Sequence, residues 1–222
     1  MTKGFVTGLL GAIGVLGAAS APAALVILNS IHVRSGEAPD GWTLKSNRGA
    51  PDVSAIDDAG GKVIRLKSNK SSFALERSVD VDLARFPYLS WNWKVSQLPK
   101  GGDFRRSATD DQAAQVLVAF SDRRVLTYLW DTSAPKGIME SASAIPLVHI
   151  WAFVCRSGAS ELNRWIPESR NIVEDFKKAY NRPPPRVKGI RLQINSQHTG
   201  TSAESYFGEV SFRSAADRAA AQ

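Results

Sequence analysis

The sequence predicts a mostly β protein, an antiparallel jelly-roll-type β-sandwich with one short helix, preceded by one N-terminal transmembrane helix. Three observations support this prediction. Many short segments alternate polar and apolar residues, which is the period of a half-buried strand. Turn residues separate these segments at near-regular spacing, as in sandwich folds. A largely apolar run without charge lies between Lys3 and His32, and about 20 apolar residues suffice to cross a bilayer as a helix.

The first 31 residues form the predicted anchor. Lys3 precedes the apolar run, so the positive-inside rule places the N-terminus in the cytoplasm and the globular domain in the periplasm. Residues 19–21 (Ala-Ser-Ala) and 21–23 (Ala-Pro-Ala) also resemble cleavage sites of a signal peptide. Cleavage there would leave the apolar residues 24–28 as a new terminus in water, so we favour an uncleaved, single-pass anchor in the inner membrane.

Small residues recur along this apolar run. Gly4 and Gly8 form a GxxxG pair, and Ala12, Gly14 and Ala18 extend the small-residue pattern. Such stripes let helix backbones approach each other closely in lipid. The pattern is equally consistent with packing against other membrane helices and with a solitary anchor or a signal sequence.

A polar linker follows at 32–41, and the predicted sandwich domain covers 42–213. Its clearest strand is 88–95, in which alternate residues share one face. The tail 214–222 is rich in Ala and Arg and is predicted to be a short helix or a disordered end. The other predicted strands are 42–44, 62–67, 72–77, 113–120, 124–130, 147–155, 165–172, 189–194 and 205–212.

One segment has helical spacing instead. Ile172, Phe176 and Tyr180 recur every four residues, and three prolines follow at 183–185. Proline cannot continue a helix, because it lacks the N–H donor and its ring clashes with the preceding turn. We therefore predict a single helix within 171–181.

Charge and cysteine content restrict the function. The formal net charge is +7, which favours acidic partners such as anionic lipid headgroups or an acidic protein surface; nucleic acid is not expected beside a membrane anchor. The only cysteine, Cys155, lies in an apolar run and is interpreted as a buried side chain rather than a nucleophile. His32, His149 and His198 lack the spacing of a metal site, so no metal or other cofactor is predicted.

Tryptophans are the first candidates for a ligand or partner surface. Trp91 and Trp93 lie two apart on a strand and therefore face the same side. They could form an aromatic platform for a sugar ring, but tryptophan is usually mostly buried, which favours the core. Trp165 is the third aromatic candidate.

Polar candidates lie near Trp165 and in one loop. Glu168 and Arg170 share a strand face and could form a polar pocket that binds a carboxylate or phosphate. An ion pair on the sheet surface is the more ordinary interpretation. His198 lies in a predicted loop and completes the set of candidates.

Carboxylates define a third hypothesis, a hydrolase using Asp110, Asp111, Glu168 and Glu209. Adjacent strand residues point to opposite faces, so Asp110 and Asp111 rarely share one ligand. A solvated or salt-bridged turn is the favoured interpretation for this pair. No GxSxG or P-loop pattern is present, and the chain is predicted not to be an enzyme.

Four segments of the domain carry a family resemblance. They are 89–95 (LSWNWKV), 110–116 (DDQAAQV), 126–130 (LTYLW), and the stretch from Trp165 through 168–172 (ESRNI), 175–176 (DF), 183–184 (PP) and 189–190 (GI) to 206–210 (YFGEV). With these segments the domain resembles a bacterial exported family known as domain of unknown function 3047. The resemblance implies a β-sandwich like those of carbohydrate-binding modules and implies no reaction. Where the family usually carries an Asp-Thr-Asp-Asn-Thr-like run, this chain has residues 195–199 (Asn-Ser-Gln-His-Thr), so amides replace two carboxylates.

These features lead to a ranked set of functions. The leading prediction is a non-catalytic, membrane-anchored periplasmic accessory subunit that packs on an integral-membrane complex of respiratory or photosynthetic type. The alternative is a tethered carbohydrate-binding module for cell-envelope glycans, which rests on the fold and the tryptophan content. The expected partners are accordingly a membrane complex, the lipid bilayer and glycans.

Overall fold

The computed structural model describes residues 24–28, 37–58, 60–142 and 147–215, which fold as two packed β-sheets and one helix. This confirms the mostly β sandwich with a single helix. Within the described ranges, no helix combines the length and the hydrophobicity needed to cross a bilayer. The strands are β1 (Ala24–Leu28), β2 (Thr43–Arg48), β3 (Asp52–Asp58), β4 (Gly61–Asn69), β5 (Ser72–Val81), β6 (Tyr88–Gln97), β7 (Ala114–Phe120), β8 (Arg124–Asp131), β9 (Met139–Ala142), β10 (His149–Ser157), β11 (Ile166–Asn171), β12 (Val187–Asn195) and β13 (Ser202–Arg213).

The six-stranded sheet is built around the last strand. Its order is β11-β6-β13-β4-β3, and β1 also pairs with β13. The N-terminal half of β13 pairs with β4 and its C-terminal half pairs with β1, while β6 lies along its other side. The long strand β13 thus joins the N-terminal strand to the rest of the sheet.

The seven-stranded sheet has the order β2-β5-β12-β7-β8-β10-β9. All its pairs are antiparallel except β8 and β10, which run parallel. The prediction of a wholly antiparallel sandwich is wrong at this one pair. The physical reason is that β9 runs antiparallel to both β8 and β10, so the chain has returned towards the starting end of β8 before β10 begins.

Aromatic rings fill the space between the sheets. On β6, Leu89, Trp91, Trp93 and Val95 alternate with polar residues and are almost fully buried. The ring centroids of Trp91 and Trp93 lie 5.4 Å apart in an edge-to-face arrangement. Trp91 also lies 5.3 Å from Tyr128 of the opposite sheet. Such contacts add roughly 0.5–1.5 kcal/mol each to the stabilisation from buried area, so the pattern on β6 fixes how the sheets pack.

Strand β1 falls inside the segment that was predicted to be a membrane span. Its register pairs Leu25 with Phe212 and Leu28 with Val210. Ile27 and Leu28 are 3% exposed and belong to the core. Residues 24–28 therefore form part of the sandwich rather than the end of a transmembrane helix. Residues 1–23 and 29–36 lie outside the described residues, so the anchor remains a prediction for them.

The predicted helix is confirmed as α1 (Ile172–Tyr180). The side chain of Asn171 accepts hydrogen bonds from the backbone N–H groups of Val173 and Glu174 and thereby caps the helix. Phe176 is fully buried and packs with its ring centroid 4.5 Å from that of Phe120. The helix therefore closes one end of the space between the sheets.

Candidate functional site

A groove lies on the outer face of the seven-stranded sheet, and cross-strand register determines which residues line it. One row of neighbours runs from Thr43 through Glu76 and Arg191 to Leu117. Because successive residues of a strand point to opposite faces, all of these side chains lie on the side that faces away from the core. The groove therefore has a polar wall on β2, β5 and β12, and it becomes apolar towards β7.

The next row makes the floor. Gly189 lies beside Ala119, which pairs with Val125, and Val125 pairs with Ile150. Small residues at the centre leave a hollow with a volume of about 550 Å³. Among the described residues that line it, none is aromatic. The floor is therefore an aliphatic surface that can contact the C–H groups of a bound molecule.

The charges of the polar wall are only partly paired. Arg191 Nη1 donates to Glu76 Oε1 at 2.8 Å, and Arg191 Nη2 lies 3.4 Å from Asn47 Oδ1. Burial lowers the pKa of Arg191, against the opposing effect of the Glu76 carboxylate. Lys45 lines the same wall, is exposed, and has no ion-pair partner among the described residues. The wall thus presents the ammonium group of Lys45, which has no ion-pair partner among the described residues, next to the ion pair of Arg191 and Glu76.

The other half of this outer face is covered. Phe104 and Ala134, on the loops before β7 and after β8, pack on Leu129, Ala152 and Val154 in a small second apolar cluster. Asp131 holds both loops, since its carboxylate accepts backbone N–H groups of Phe104, Ser133 and Ala134 at 2.7–3.0 Å. This cover limits the groove to the end of the sheet where Thr43, Gly189 and Ile150 lie.

Trp91 and Trp93 do not form a ligand-binding surface, because both side chains are buried. They are 1% and 0% exposed, so the interpretation of this pair as a sugar platform is wrong and the core interpretation is correct. The cause is the register of β6, which turns both rings towards the opposite sheet.

Trp165 is half-buried on the outer face of the six-stranded sheet, opposite the groove. Its ring lies over Gly208, where a Cβ would come 3.7 Å from the Trp165 Cζ3 atom. The Lys94 ammonium lies 5.4 Å from its ring centroid and also pairs with Asp58. Trp165 therefore remains a partly exposed aromatic ring, but it takes no part in the groove.

Glu168 and Arg170 lie on the inner face of the edge strand β11, and each is bound by a different partner. Arg156 Nε donates to Glu168 Oε1 at 2.6 Å. Arg170 binds both oxygens of Asp175, at 2.6 and 2.8 Å. Tyr128 donates to the same Asp175 carboxylate. The predicted polar pocket of Glu168 and Arg170 is therefore a set of internal ion pairs that joins β11, α1 and β8.

The loop at residues 195–199 is held by hydrogen bonds. Asp111 is fully buried, and its carboxylate accepts the backbone N–H groups of His198 and Thr199 at 3.3 and 2.6 Å. The His198 Nδ1 atom lies 3.0 Å from the carbonyl oxygen of Asp110. Asp111 therefore holds a loop from inside the protein. Of the two predicted possibilities, a solvated or a salt-bridged turn, the solvated one is wrong for Asp111, and its Oδ1 atom lies 3.6 Å from His198 Nδ1.

The four carboxylates of the hydrolase hypothesis do not converge. Asp110 and Asp111 contact the loop at 195–199, Glu168 faces inward from β11, and Glu209 binds Ser211 and Arg213 beyond the bulge of β13. Glu76 lines the groove, whereas Glu140 of β9 lies five strands away in the same sheet, or roughly 24 Å at ~4.8 Å per strand. Paired glycosidase carboxylates lie about 5–9.5 Å apart. The prediction of a non-enzyme stays a prediction.

The remaining predicted residues add no site. Cys155 is 9% exposed, and burial raises the pKa of its thiol to about 12, so the thiol is protonated at neutral pH. Within the part of the chain that the structure describes, no group of three His, Cys, Asp or Glu residues is arranged to hold a metal. Gly4, Gly8, Ala12, Gly14 and Ala18 lie outside the described residues, and their helix-packing role stays a prediction.

The groove residues were absent from the sequence-based candidates. Lys45, Glu76 and Arg191 are far apart in the chain, and each belongs to a different strand. A weak signal was available in β12, where Gly189, Arg191 and Gln193 alternate with buried aliphatic residues. That alternation marks an outward face, but only the pairing of β12 with β5 and β7 shows what lies beside it.

Comparison with known proteins identifies the family and the fold. A model for a family described as "Protein of unknown function (DUF3047)" matches residues 40–211. No curated protein matches the sequence. The xyloglucanase domain of NopAA, a type three effector from Sinorhizobium fredii solved in complex with cellobiose, superposes with a TM-score of 0.50 at 10% identity over 79% of this chain and 94% of that chain.

Two weaker similarities are also found. The family 30 carbohydrate-binding module of the cellulosomal cellulase Cel9D-Cel44B of Clostridium thermocellum gives a TM-score of 0.48 at 10% identity, over 86% of this chain and 98% of that chain. Endoglucanase 3 of family GH12 from Trichoderma harzianum gives 0.45 at 10% identity, over 88% of this chain and 99% of that chain. Similarity at this level of identity concerns the fold.

These findings correct the leading functional prediction. The fold that the chain shares is that of a xyloglucanase domain, which does not agree with the predicted membrane-complex subunit. The prediction of an accessory subunit that packs on a respiratory or photosynthetic membrane complex is therefore wrong. The apolar N-terminal run had suggested it, yet part of that run, Ala24–Leu28, is a strand of the sandwich.

Proposed function

Since the chain belongs to the DUF3047 family of proteins of unknown function, we propose a function from its fold and its groove: it binds carbohydrate. The saccharide lies on the outer face of the seven-stranded sheet, in the hollow between Lys45 and Ile150. The observation that carries this proposal is the groove itself, which has one polar wall and an aliphatic floor.

The size of the groove suits a short stretch of glycan. Its volume of about 550 Å³ falls within the roughly 300–1,000 Å³ of typical small-molecule sites. It lies on a sheet rather than on loops, so its walls are held rigidly by the strand pairing. A groove of this kind binds without large rearrangement.

The chemistry of the two sides matches the two kinds of surface on a sugar ring. Hydroxyl groups need hydrogen-bonding partners, and Thr43, Glu76 and Arg191 offer a hydroxyl, a carboxylate and a guanidinium side by side. The C–H face of a sugar ring is apolar, and Leu117, Val125 and Ile150 present an aliphatic surface to it. Buried polar contacts then give specificity, because a missing hydroxyl would leave one of these groups unpaired.

The fold is compatible with this activity. The xyloglucanase domain that shares it is described in complex with cellobiose, so a sandwich of this architecture accommodates a saccharide in at least one protein. That similarity supports the class of ligand and says nothing about a reaction in this chain.

Filling the groove tests the proposal. Gly189→Val adds a branched side chain at the centre of the floor, where a Cβ would make ordinary contacts of 3.7 Å with Ala119 and with the Arg77 carbonyl oxygen. Strand β12 should therefore keep its structure in this variant, while the valine side chain fills the centre of the groove. We expect the wild-type protein to bind at least one glycan on an array, and the variant to lose at least tenfold in affinity for it by isothermal titration calorimetry.

Two control variants make the result specific. Gly61→Val places the same side chain in β4 of the other sheet, where nothing lies within 4 Å of a new Cβ, and it should bind as wild type does. Trp165→Ala removes the partly exposed ring on the opposite face. The proposal fails if no glycan is bound, or if Trp165→Ala abolishes binding while Gly189→Val preserves it.

A further inference from the structure

The groove carries an imbalance of charge that restricts which saccharide it prefers. Lys45, Arg77 and Arg191 contribute three positive charges to its lining, and Glu76 contributes one negative charge. The Glu76 carboxylate is already bound by Arg191 at 2.8 Å. Arg77 donates to the carbonyl oxygen of Ile27, and among the described residues neither Arg77 nor Lys45 forms an ion pair with a carboxylate. The lining of the groove therefore has an excess of positive charge, in a chain whose formal net charge is +7.

Position distinguishes Lys45 from the other surface lysines. It lies on the edge strand β2, and register places it one step from Thr43 on the same outer face, next to Ala74 of β5. Alanine leaves space beside the ammonium stem, and no described carboxylate pairs with Lys45. Lys62, Lys94 and Lys188 each form an ion pair with an aspartate. Lys67 has no such partner among the described residues, but it lies in the other sheet, whereas Lys45 lines the groove. Lys45 is thus free to meet a charge brought by a ligand.

Arg191 is prepared for an anion as well. Its guanidinium is partly buried and donates to Glu76 through Nη1, whereas the contact from Nη2 to Asn47 is a long one of 3.4 Å. A charged group bound in a partly desolvated site interacts more strongly than it does in water. An incoming carboxylate oxygen could therefore replace the weak Asn47 contact while the Glu76 pair is kept.

We propose that the groove selects an acidic saccharide, a uronic-acid-containing glycan whose carboxylate lies between Lys45 and Arg191 while its ring rests on the aliphatic floor. This inference rests on the proposed function, since it names the class of saccharide for the same groove. The floor and the cationic wall lie on adjoining sides, which matches a sugar ring that carries its carboxylate at one edge.

A pair of matched ligands tests the charge preference. Polygalacturonate and its carboxyl-reduced form have the same rings and linkages and differ only in the carboxylate. We expect the protein to bind polygalacturonate at least tenfold more tightly than the reduced polymer in affinity electrophoresis and calorimetry at low salt. We expect 500 mM NaCl to remove most of that difference, because an exposed ion pair is screened.

Lysine variants then locate the effect. Lys45→Gln should reduce the preference for the acidic polymer several-fold, whereas Lys67→Gln, which removes an exposed lysine from β4 of the other sheet, should leave it unchanged. Equal affinity for the two polymers, or an undiminished preference in Lys45→Gln, would overturn the inference. In either of these cases, neutral glycans that bind the wild-type protein and bind the Gly189→Val variant more weakly would still support the carbohydrate function, without the acidic preference. If no glycan binds, both the carbohydrate function and the acidic preference are wrong.

Discussion

Asn195 uses its amide in a way that a carboxylate at the same position could not. Its Oδ1 atom accepts from the Gln112 backbone N–H at 2.9 Å and from Gln115 Nε2 at 2.8 Å. Its Nδ2 group donates to the carbonyl oxygen of Asp110 at 2.7 Å. A carboxylate has no donor for that carbonyl group. Two acceptor contacts and one donor contact therefore give the amide a structural role at this end of the sandwich.

An aspartate in place of Asn195 should destabilise the protein. In Asn195→Asp, a carboxylate oxygen would face the Asp110 carbonyl at a position that is 5% exposed, so we expect a loss of about 1–3 kcal/mol in the free energy of unfolding at pH 7. Burial favours the neutral acid, whose O–H can donate to that carbonyl, so the folded-state pKa of the new carboxyl lies above its unfolded value. The deficit should therefore shrink as the pH is lowered towards 4.

Urea unfolding at both pH values measures this effect. Asn92→Asp, at an exposed position of β6, is the control and should stay within about 0.5 kcal/mol of wild type. A variant as stable as wild type at pH 7 would show that the loop does not depend on the amide donor.

At the scale of single elements, α1 shows how local signals set the ends of a helix. Asn171 caps the first turn, and Glu174 and Asp175 lie in that turn, where negative charge interacts favourably with the helix dipole. Asn181 ends the helix in a left-handed conformation, and its N–H donates to the Lys177 carbonyl. Each of these features is encoded by residues within a few positions of the helix end.

Removing the cap should weaken this element by a predictable amount. Asn171→Ala leaves two backbone N–H groups without their side-chain acceptor, so we expect a loss of about 1 kcal/mol in the free energy of unfolding by chemical denaturation. Asn171→Ser keeps a capping oxygen and should recover most of that loss. Equal destabilisation by both substitutions would mean that the cap is not responsible.

Local patterns in the sequence predict most strands and the helix, because the period of two and the period of 3.6 are both visible in short windows. They miss β3 and β9, which lie at sheet edges and bury few apolar residues. They also misplace β1, since five apolar residues look the same at the end of a membrane span and in a strand. Periodicity alone cannot separate these two environments.

The groove could not be predicted in the same way, because its neighbours are brought together by tertiary pairing. Glu76 and Arg191 are separated by 115 positions in the chain and meet only when β12 lies against β5. Sequence patterns show that each side chain points outward, but the identity of its neighbours depends on strand order. The chosen candidates, Glu168 and Arg170, were chemically reasonable yet lie among internal ion pairs.

At the scale of the whole molecule, β1 changes the expected processing of the chain. The uncleaved anchor was favoured because cleavage would leave residues 24–28 as an apolar terminus in water. In the structure this segment is a strand, with Ile27 and Leu28 buried and the Ile27 carbonyl accepting from Arg77. The argument against cleavage at residues 21–23 therefore no longer holds.

N-terminal sequencing of the protein purified from its native cells tests the processing. We expect the mature chain to begin at Ala24, the first residue of β1, because the Ala-Pro-Ala run at 21–23 has small residues where signal peptidase needs them. Ala23→Arg should then prevent cleavage and lengthen the product. An unmodified chain that begins at Met1 in the membrane fraction would instead support the retained anchor.

The order of the strands has a consequence for how the chain acquires its structure during synthesis. The strands β12 and β13 are made last, yet β12 lies between β5 and β7, and β13 lies between β6 and β4. Neither sheet can close until the final part of the chain has emerged, and pairing over such long separations is slow. The nascent polypeptide should therefore remain unfolded for most of its translation, which is the state that a translocation channel accepts.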